Sequence, residues 1–291
     1  MEAQDFKDAV RYAELEFSTF SRTKDDVIPS PFPDTTTIVT KQTIGVCGIV
    51  APWNFSIAMI TRKIAPAIAA GCTVVVKPPS ETLLCALALA KLALEAGLPP
   101  NVMQVSFIGS TKVGKAITEK VTMTMKKISM ELGGSAPFIV FEDADIKKAI
   151  AALMGCKFRC SGQTCICANR VFVQRPISDT FIFKLKGRMQ SLKAGSPFDP
   201  TMTNGPLMNK AAVATTLRLI GLQRYHTGPL ITGIKPGMAL AHEEIFGTIA
   251  PVITFDKEEE VVEISNNTEF GLAGYFVSYD YRRIWSVAKA L

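Results

Sequence analysis

The chain has 291 residues, of which 48% are hydrophobic and 20% charged, and a formal net charge of +6. That is material for one large domain or two of ordinary size, and it excludes a disordered chain. The mild positive charge is spread along the sequence, which argues against a nucleic-acid partner. The lysines between Lys112 and Lys127 read as a solvated helix face and strand flank.

There is no run of about 18 apolar residues, so neither a transmembrane helix nor a membrane partner is expected. The N-terminus, Met1-Glu2-Ala3-Gln4-Asp5, is acidic and has no apolar signal core, so the expected compartment is cytoplasmic. Seven cysteines, an odd count in a chain this long, do not make a disulfide framework. Cys47, Cys72 and Cys85 sit in apolar context and read as inert core thiols. Cys156, Cys160, Cys165 and Cys167 crowd together.

In chain order, residues 5–20 read as an amphipathic helix and 28–34 as a proline-rich connector. Residues 36–50 are rich in β-branched side chains and read as one or two strands, followed by a helix over 57–70. The continuous apolar run at 73–77 is expected to be a buried parallel strand. A helix over 82–96, closed by Gly97 and Pro99, precedes a strand over 102–108 and a helix over 111–120. A strand at 137–141 leads to a helix capped by Asp143 or Asp145 that runs to about 158. A strand at 170–173 and a helix over 177–193 follow; 194–240, rich in Gly, Pro, Thr and Met, gives no clear element. Residues 249–255, 258–265, 273–278 and 281–291 alternate strand, helix, strand, helix. This alternation, with no internal repeat, predicts an α/β fold with doubly wound parallel sheets.

The densest chemical signal is Ser161-Gly162-Gln163-Thr164-Cys165-Ile166-Cys167. A cysteine on a small, polar, turn-prone segment is a candidate nucleophile where something lowers its pKa. A metal site is the rival, but paired CxxC or Cys/His spacing is missing, and His226 and His242 lie far away in sequence. A set of buried thiols on one helix is the other alternative; it suits Cys156 and Cys160, spaced i, i+4. A second signal, Gly109-Ser110-Thr111-Lys112-Val113-Gly114-Lys115-Ala116, nearly makes a P-loop. Ala116 stands where the Mg²⁺-binding hydroxyl belongs, so an NTPase is not expected. Backbone N–H groups at such a helix start can still hold a pyrophosphate. Third is Glu131-Leu132-Gly133-Gly134: burial would make Glu131 a general base, and the alternative is a solvated loop carboxylate.

Together these fragments resemble the aldehyde dehydrogenase superfamily. The resemblance rests on Pro52-Trp53-Asn54-Phe55, Thr73 to Lys77, Phe107 to Thr111, Glu131 to Gly134, Gly162 to Cys165 and Glu243-Glu244-Ile245-Phe246-Gly247, all in the family's order. Met59 to Lys63, Lys157-Phe158-Arg159 and Cys167 are most similar to its succinate-semialdehyde branch. The resemblance implies a Rossmann-type coenzyme domain (residues 1–132, shortened near 100–106) and an α/β catalytic domain (133–243). Residues 244–291 would return coenzyme contacts and a truncated C-terminal part.

It also implies roles. Cys165 would attack an aldehyde, with the Asn54 amide stabilising the oxyanion and Glu131 activating water to hydrolyse the thioester. Trp53, Lys77, Ser80, Gly109, Ser110, Glu244 and Phe246 would form the coenzyme set, on NADP or NAD. Ser80, where many NAD-preferring relatives have glutamate, favours NADP; Glu81 swinging in, or Ser80 as a plain helix N-cap, are the alternatives. Arg62 and Arg159 would read the carboxylate of succinate semialdehyde, the alternative being ordinary ion pairs with Glu142 or Asp145. Cys167 would form a reversible disulfide with Cys165, or be a small packed side chain. No metal is implied.

The chain departs from the family pattern. Residues 101–106 join parts that the family separates by a further loop and helix, so the sheet is expected to skip a strand or the coenzyme domain to be damaged. A second shortening falls near 215–235, and Ser56 and Thr248 replace prolines. The start is expected to be late, and the family's substrate loop and oligomerisation strand to be missing after Leu291, although the family is homo-oligomeric. Two functions are therefore carried: an active aldehyde oxidoreductase, and a catalytically crippled relative with a binding or regulatory role.

Overall fold

The computed structural model describes residues 26–29, 36–39, 42–97, 106–107, 109–123, 125–221, 229–235 and 237–291. The expected helix over 5–20 lies outside them, as do His226 and most of the strand expected over 102–108. The chain divides into two compact units, Met1–Leu132 and Gly133–Leu291.

In the first unit, β1 (Asp26–Pro29) and β2 (Thr36–Val39) pair antiparallel, with Pro29 opposite Thr36. The segment expected to be a proline-rich connector thus begins inside a strand, at an end where a missing N–H is tolerated. Three parallel strands, β3 (Val46–Val50), β4 (Thr73–Lys77) and β5 (Ser106–Phe107), follow in the order β4-β3-β5. Helix α1 (Ala58–Ala69) joins β3 to β4, and α2 (Leu83–Glu95) lies between β4 and β5. The crossover from β4 to β5 passes over β3 and includes α2, so the short join at 101–106 does not carry it alone. The strand at 73–77 is not buried throughout: only Val74 is, because β4 is at the sheet's edge. Ala51, Ile60 and Ala86 make a small core with Met59, Val76 and Leu89. Cys72 is buried, but Cys47 and Cys85 are half-buried and do not belong to the core as expected.

Helix α3 (Thr111–Thr122) follows the glycine turn. A Cβ on Gly114 would collide with the Leu132 side chain, so the second glycine of the near P-loop serves helix packing. Lys112, Lys115 and Lys120 are exposed on α3. Lys126 and Lys127 are exposed too, but on irregular chain that runs to residue 135, with no strand for them to flank.

The second unit is a five-stranded parallel sheet in the order β10-β6-β7-β9-β8. Its strands are β6 (Ala136–Val140), β7 (Ala168–Gln174), β8 (Leu230–Ile231), β9 (Ala250–Phe255) and β10 (Tyr275–Val277). Its helices are α4 (Ile146–Lys157), α5 (Arg175–Met189), α6 (Lys210–Ile220), α7 (Ala239–His242), α8 (Glu258–Asn266) and α9 (Tyr281–Ala290). Alternation along β6 and β7 supplies two cores. Phe138, Val140, Val171 and Val173 meet Ile150, Leu153, Phe181 and Leu185 of α4 and α5. Ile139, Phe141 and Phe172 meet Val261 of α8 and Val287 of α9 on the other face. Each fully buried aliphatic or aromatic side chain contributes about 1.5–3 kcal/mol, and coverage of both faces explains why these strands are continuous apolar runs. Residues 244–291, expected to hold coenzyme contacts at Glu244 to Phe246 and a truncated C-terminal part, contribute β9 and β10 to this same sheet.

Candidate active site

Asp145 caps α4, accepting from the N–H groups of Lys147 (2.9 Å) and Lys148 (3.1 Å). The helix stops at Lys157, so Cys160 is not on it and the alternative, a helical row of thiols, is not formed. A 3-10 turn, Arg159–Gly162, follows, with Cys160 and Ser161 left-handed at φ 50° and 56°. Gly162 has φ 73°, and a Cβ there would strike the Gly247 carbonyl, so the position demands glycine twice over. Hydrogen bonds from distant chain pin the turn. Ser161 Oγ donates to Gly205 O (2.7 Å), and Asn204 Nδ2 to Phe158 O (2.8 Å). Gln163 Oε1 accepts from the Met208 N–H (2.8 Å), and the Tyr275 hydroxyl donates to Ile166 O (2.7 Å). Cys165 is half-buried in the segment between this turn and β7.

A Cβ on Gly134 would collide with the Cys165 carbonyl oxygen. Gly134 is itself held from both sides: its carbonyl accepts from Asn169 Nδ2 (2.8 Å), and its N–H donates to Glu244 Oε1 (3.1 Å). Glu244 is positioned by its neighbours. Ile245 and Ile249 are buried with Leu219 and Leu240, while Glu243 pairs outward with Arg218. Phe246 is half-buried with φ 46°, a left-handed aromatic residue and hence strained. Burial pushes the Glu244 carboxyl up, opposed by the Gly134 N–H and the charge of Lys157. Cys167 is 1% exposed, and burial pushes its thiol up. The Lys157 ammonium donates to its sulfur at 3.5 Å. Lys157, Asn169 and Tyr275 were not foreseen from sequence. Lys157 stands in the segment Lys157-Phe158-Arg159 that resembles the succinate-semialdehyde branch, but no role was read for it.

In the first unit, Trp53 and Asn54 are half-buried in the turn before α1, and Arg62 is half-buried on α1. Glu131 is not buried as the general-base reading expected. Its carboxylate is 43% exposed and ion-paired with Lys63 at 3.2 Å, a partner 68 positions away. Lys77 is exposed where β4 ends. Ser80 is no helix cap: its hydroxyl donates to Glu81 Oε2 (3.1 Å), and the residue before α2 is Thr82. Gly109 and exposed Ser110 lead into α3, whose first turn has no side-chain cap. In the second unit Arg159 is exposed, and the ion pair considered for it with Asp145 is not formed, since Asp145 serves α4 and Lys148. Among the described residues no cluster of three His, Cys, Asp or Glu could hold a metal, and no helix is long and apolar enough to cross a membrane.

The family model for the aldehyde dehydrogenase family matches residues 1–105 and 100–291. The chain belongs to the aldehyde dehydrogenase family. Among its relatives in that family, a succinate semialdehyde dehydrogenase of Acinetobacter baylyi is 43% identical over 91% of this chain and 63% of its own length. A succinate-semialdehyde dehydrogenase [NADP(+)] of Schizosaccharomyces pombe is 42% identical, over 93% of this chain and 62% of its own length. A 3-sulfolactaldehyde dehydrogenase of Pseudomonas putida is 44% identical over 91% and 63%. The chain therefore spans less than two thirds of the length of these relatives. Of solved structures, an NADP-dependent enzyme of E. coli superposes with a TM-score of 0.94 at 38% identity, over 99% of this chain and 69% of that one. A succinate-semialdehyde dehydrogenase of Burkholderia pseudomallei gives 0.93 at 39%, over 98% and 68%.

Proposed function

We propose that the chain oxidises an aldehyde to a carboxylic acid through a thioester on Cys165, with NADP or NAD as coenzyme. The observation that carries the reading is the Cys165 segment itself: a half-buried thiol after a strained turn, its carbonyl packed against Gly134, which Glu244 holds, in a member of this family. The donor set suits a dinucleotide. Lys77 and Ser80 are exposed at the end of a parallel strand, and Gly109-Ser110 opens a helix with uncapped N–H groups. When bound, the coenzyme would supply the hydride acceptor. Glu244 and Lys77 would accept and donate to ribose hydroxyls, Ser110 would contact the pyrophosphate, and Trp53, Gly109 and Phe246 would complete the set. Ser80 beside Lys77 would tolerate a 2′-phosphate, which favours NADP.

The chain's own steps are few. The Cys165 thiolate adds to the carbonyl carbon, and the Asn54 amide and Cys165 N–H stabilise the oxyanion. After oxidation a water molecule, deprotonated by Glu131, attacks the thioester and releases the acid and the thiolate. We take succinate semialdehyde as the substrate, with Arg62 and Arg159 reading its carboxylate as bidentate donors. Relatives named for succinate semialdehyde and for 3-sulfolactaldehyde, both aldehydes with an anionic end, support a cationic pocket.

A second reading, a non-enzymatic binding or regulatory relative, is favoured by one observation: Glu131, the base the chemistry needs, has a 43% exposed side chain ion-paired with Lys63. The deciding experiment follows reduction of NADP and NAD with succinate semialdehyde and with uncharged butanal. Activity that Cys165→Ala abolishes supports the enzyme; no turnover with either coenzyme supports the second reading. Arg62→Ala and Arg159→Ala should cost about 2–5 kcal/mol for the charged aldehyde and little for butanal. Equal losses would show that the arginines hold structure.

A further inference from the structure

Cys165 stands at the corner of a β-turn. The Cys167 N–H donates to Thr164 O at 2.9 Å, which puts Cys165 and Ile166 at the two central positions. The chain before this turn is pinned through Phe158, Ser161 and Gln163, and the chain after it enters β7. The Ile166 side chain is 44% exposed, so it does not anchor the turn.

The peptide unit between Ile166 and Cys167 is held at both of its polar ends. Its N–H makes the turn bond to Thr164 O. Its carbonyl, that of Ile166, accepts from the Tyr275 hydroxyl at 2.7 Å, a donor 109 positions away. A peptide unit is planar, so two bonds on opposite sides fix its rotation about the chain. Fixing that plane fixes the turn, and the turn carries Cys165. The Cys156 thiol also reaches the Ile166 carbonyl, but at 3.9 Å, and a thiol is a weak donor.

The sheet carries Tyr275 to this point. It is the first residue of β10, in register with Phe138 of β6, and the two rings lie 6.1 Å apart. Its ring packs on the core that Leu153, Val171 and Phe181 share. That packing uses the ring alone and leaves the hydroxyl for the cysteine turn. Burial pushes this hydroxyl up, so it keeps its proton and donates at neutral pH.

We infer that Tyr275 is a positioning residue: its hydroxyl fixes the Ile166–Cys167 peptide and so holds the turn that presents Cys165. The consequence for catalysis rests on the reading of Cys165 as nucleophile; the clamp on the peptide does not. Tyr275→Phe keeps the ring and removes only the donor. Exchange of the Cys167 amide, followed by NMR in coenzyme-free protein, should quicken about five- to tenfold, as for one hydrogen bond lost. The amides of Val171 and Phe172, inside β7, should keep their rates. Cys156→Ala should change the Cys167 amide by less than about twofold. An unmoved Cys167 amide in Tyr275→Phe, or a larger change in Cys156→Ala, overturns the inference.

Alkylation by iodoacetamide, mapped by mass spectrometry, gives a second readout with exposed Cys160 as internal reference. In Tyr275→Phe the ratio of Cys165 to Cys160 labelling should rise about fivefold as the half-buried thiol loosens; an unchanged ratio also overturns the inference. With succinate semialdehyde and NADP, kcat should fall about tenfold while KM stays within about twofold. A loss carried by KM alone would place Tyr275 in substrate binding and not in the placement of Cys165. If the unaltered protein shows no turnover, the enzymatic reading fails, while amide exchange and alkylation still decide the role of Tyr275.

Discussion

Gly134 and Cys165 are packed backbone against backbone, with the Cys165 carbonyl occupying the space where a Gly134 side chain would begin. The loop before β6 and the loop before β7 are adjacent because β6 and β7 pair in parallel. Their leading ends therefore converge, and Asn169 Nδ2, reaching Gly134 O at 2.8 Å, ties them.

Gly134→Ala is accordingly expected to displace the cysteine segment and to strain the Glu244 bond. Overpacking of this kind costs about 1–3 kcal/mol. Urea unfolding would measure that loss, and the rate of Cys165 alkylation would change with it. Unchanged stability and unchanged Cys165 reactivity would show that the two backbones separate freely.

Thiol accessibility differs sharply within one short segment. Cys160 is exposed, Cys165 half-buried and Cys167 1% exposed, its thiol pushed up by burial. Alkylation in native buffer, mapped by mass spectrometry, should label Cys160 and Cys165 well before Cys167 and buried Cys72. A Cys165–Cys167 disulfide would require Cys167 to leave Lys157, so mild peroxide should give that species slowly and Lys157→Met should speed it. Rapid labelling of Cys167 would contradict its packing.

Asp143 joins two ends of the second unit. Its carboxylate accepts from Ser278 Oγ (2.8 Å), from the N–H groups of Tyr279 and Asp280, and from Arg283 Nη1 (2.8 Å). Burial acts to raise this carboxyl, but the Ser278 hydroxyl, the two N–H groups and Arg283 together hold it below the ordinary aspartate range. A lowered folded value means the contribution is complete above the unfolded aspartate value of about 3.9 and is lost as pH falls through the folded one. Asp143→Asn should cost about 1.5–3 kcal/mol at neutral pH. The gap between the two proteins should then close below about pH 4. A gap independent of pH would exclude the charge as its source.

The sheet of the second unit was legible because strands covered on both faces carry apolar runs, as at Phe138 to Phe141 and Val171 to Val173. The same pattern misled at 73–77, since an apolar run does not say whether its strand is central or at an edge. The cysteine turn was legible from Gly162 and its polar neighbours, but its fastenings were not. Gly205, Met208 and Tyr275 reach it from up to 109 positions away. The ion pair of Glu131 was illegible for a related reason: Lys63 meets it across 68 positions, and no local pattern encodes that pairing. The burial of Lys157 was invisible because a lysine at a helix end normally reads as a solvated complement to the helix dipole.

Cys160 gives the most direct test of strain beside the candidate nucleophile. At φ 50° and ψ 33° it occupies the left-handed region, and Ser161 follows it there at 56° and 31°. For an L-residue with a Cβ this conformation costs roughly 1–2 kcal/mol, and asparagine bears it better than most because its short amide can bond locally. Cys160 is exposed. Cys160→Asn should therefore stabilise the second unit by about 0.5–1 kcal/mol, whereas β-branched Cys160→Val should destabilise it by about 1 kcal/mol. For a unit of this size each kcal/mol moves the melting temperature by roughly 2–4 °C. If the two variants moved it alike, the turn would not be held in the left-handed region. The opposite shifts expected would show that the folded unit spends stability on presenting Cys165.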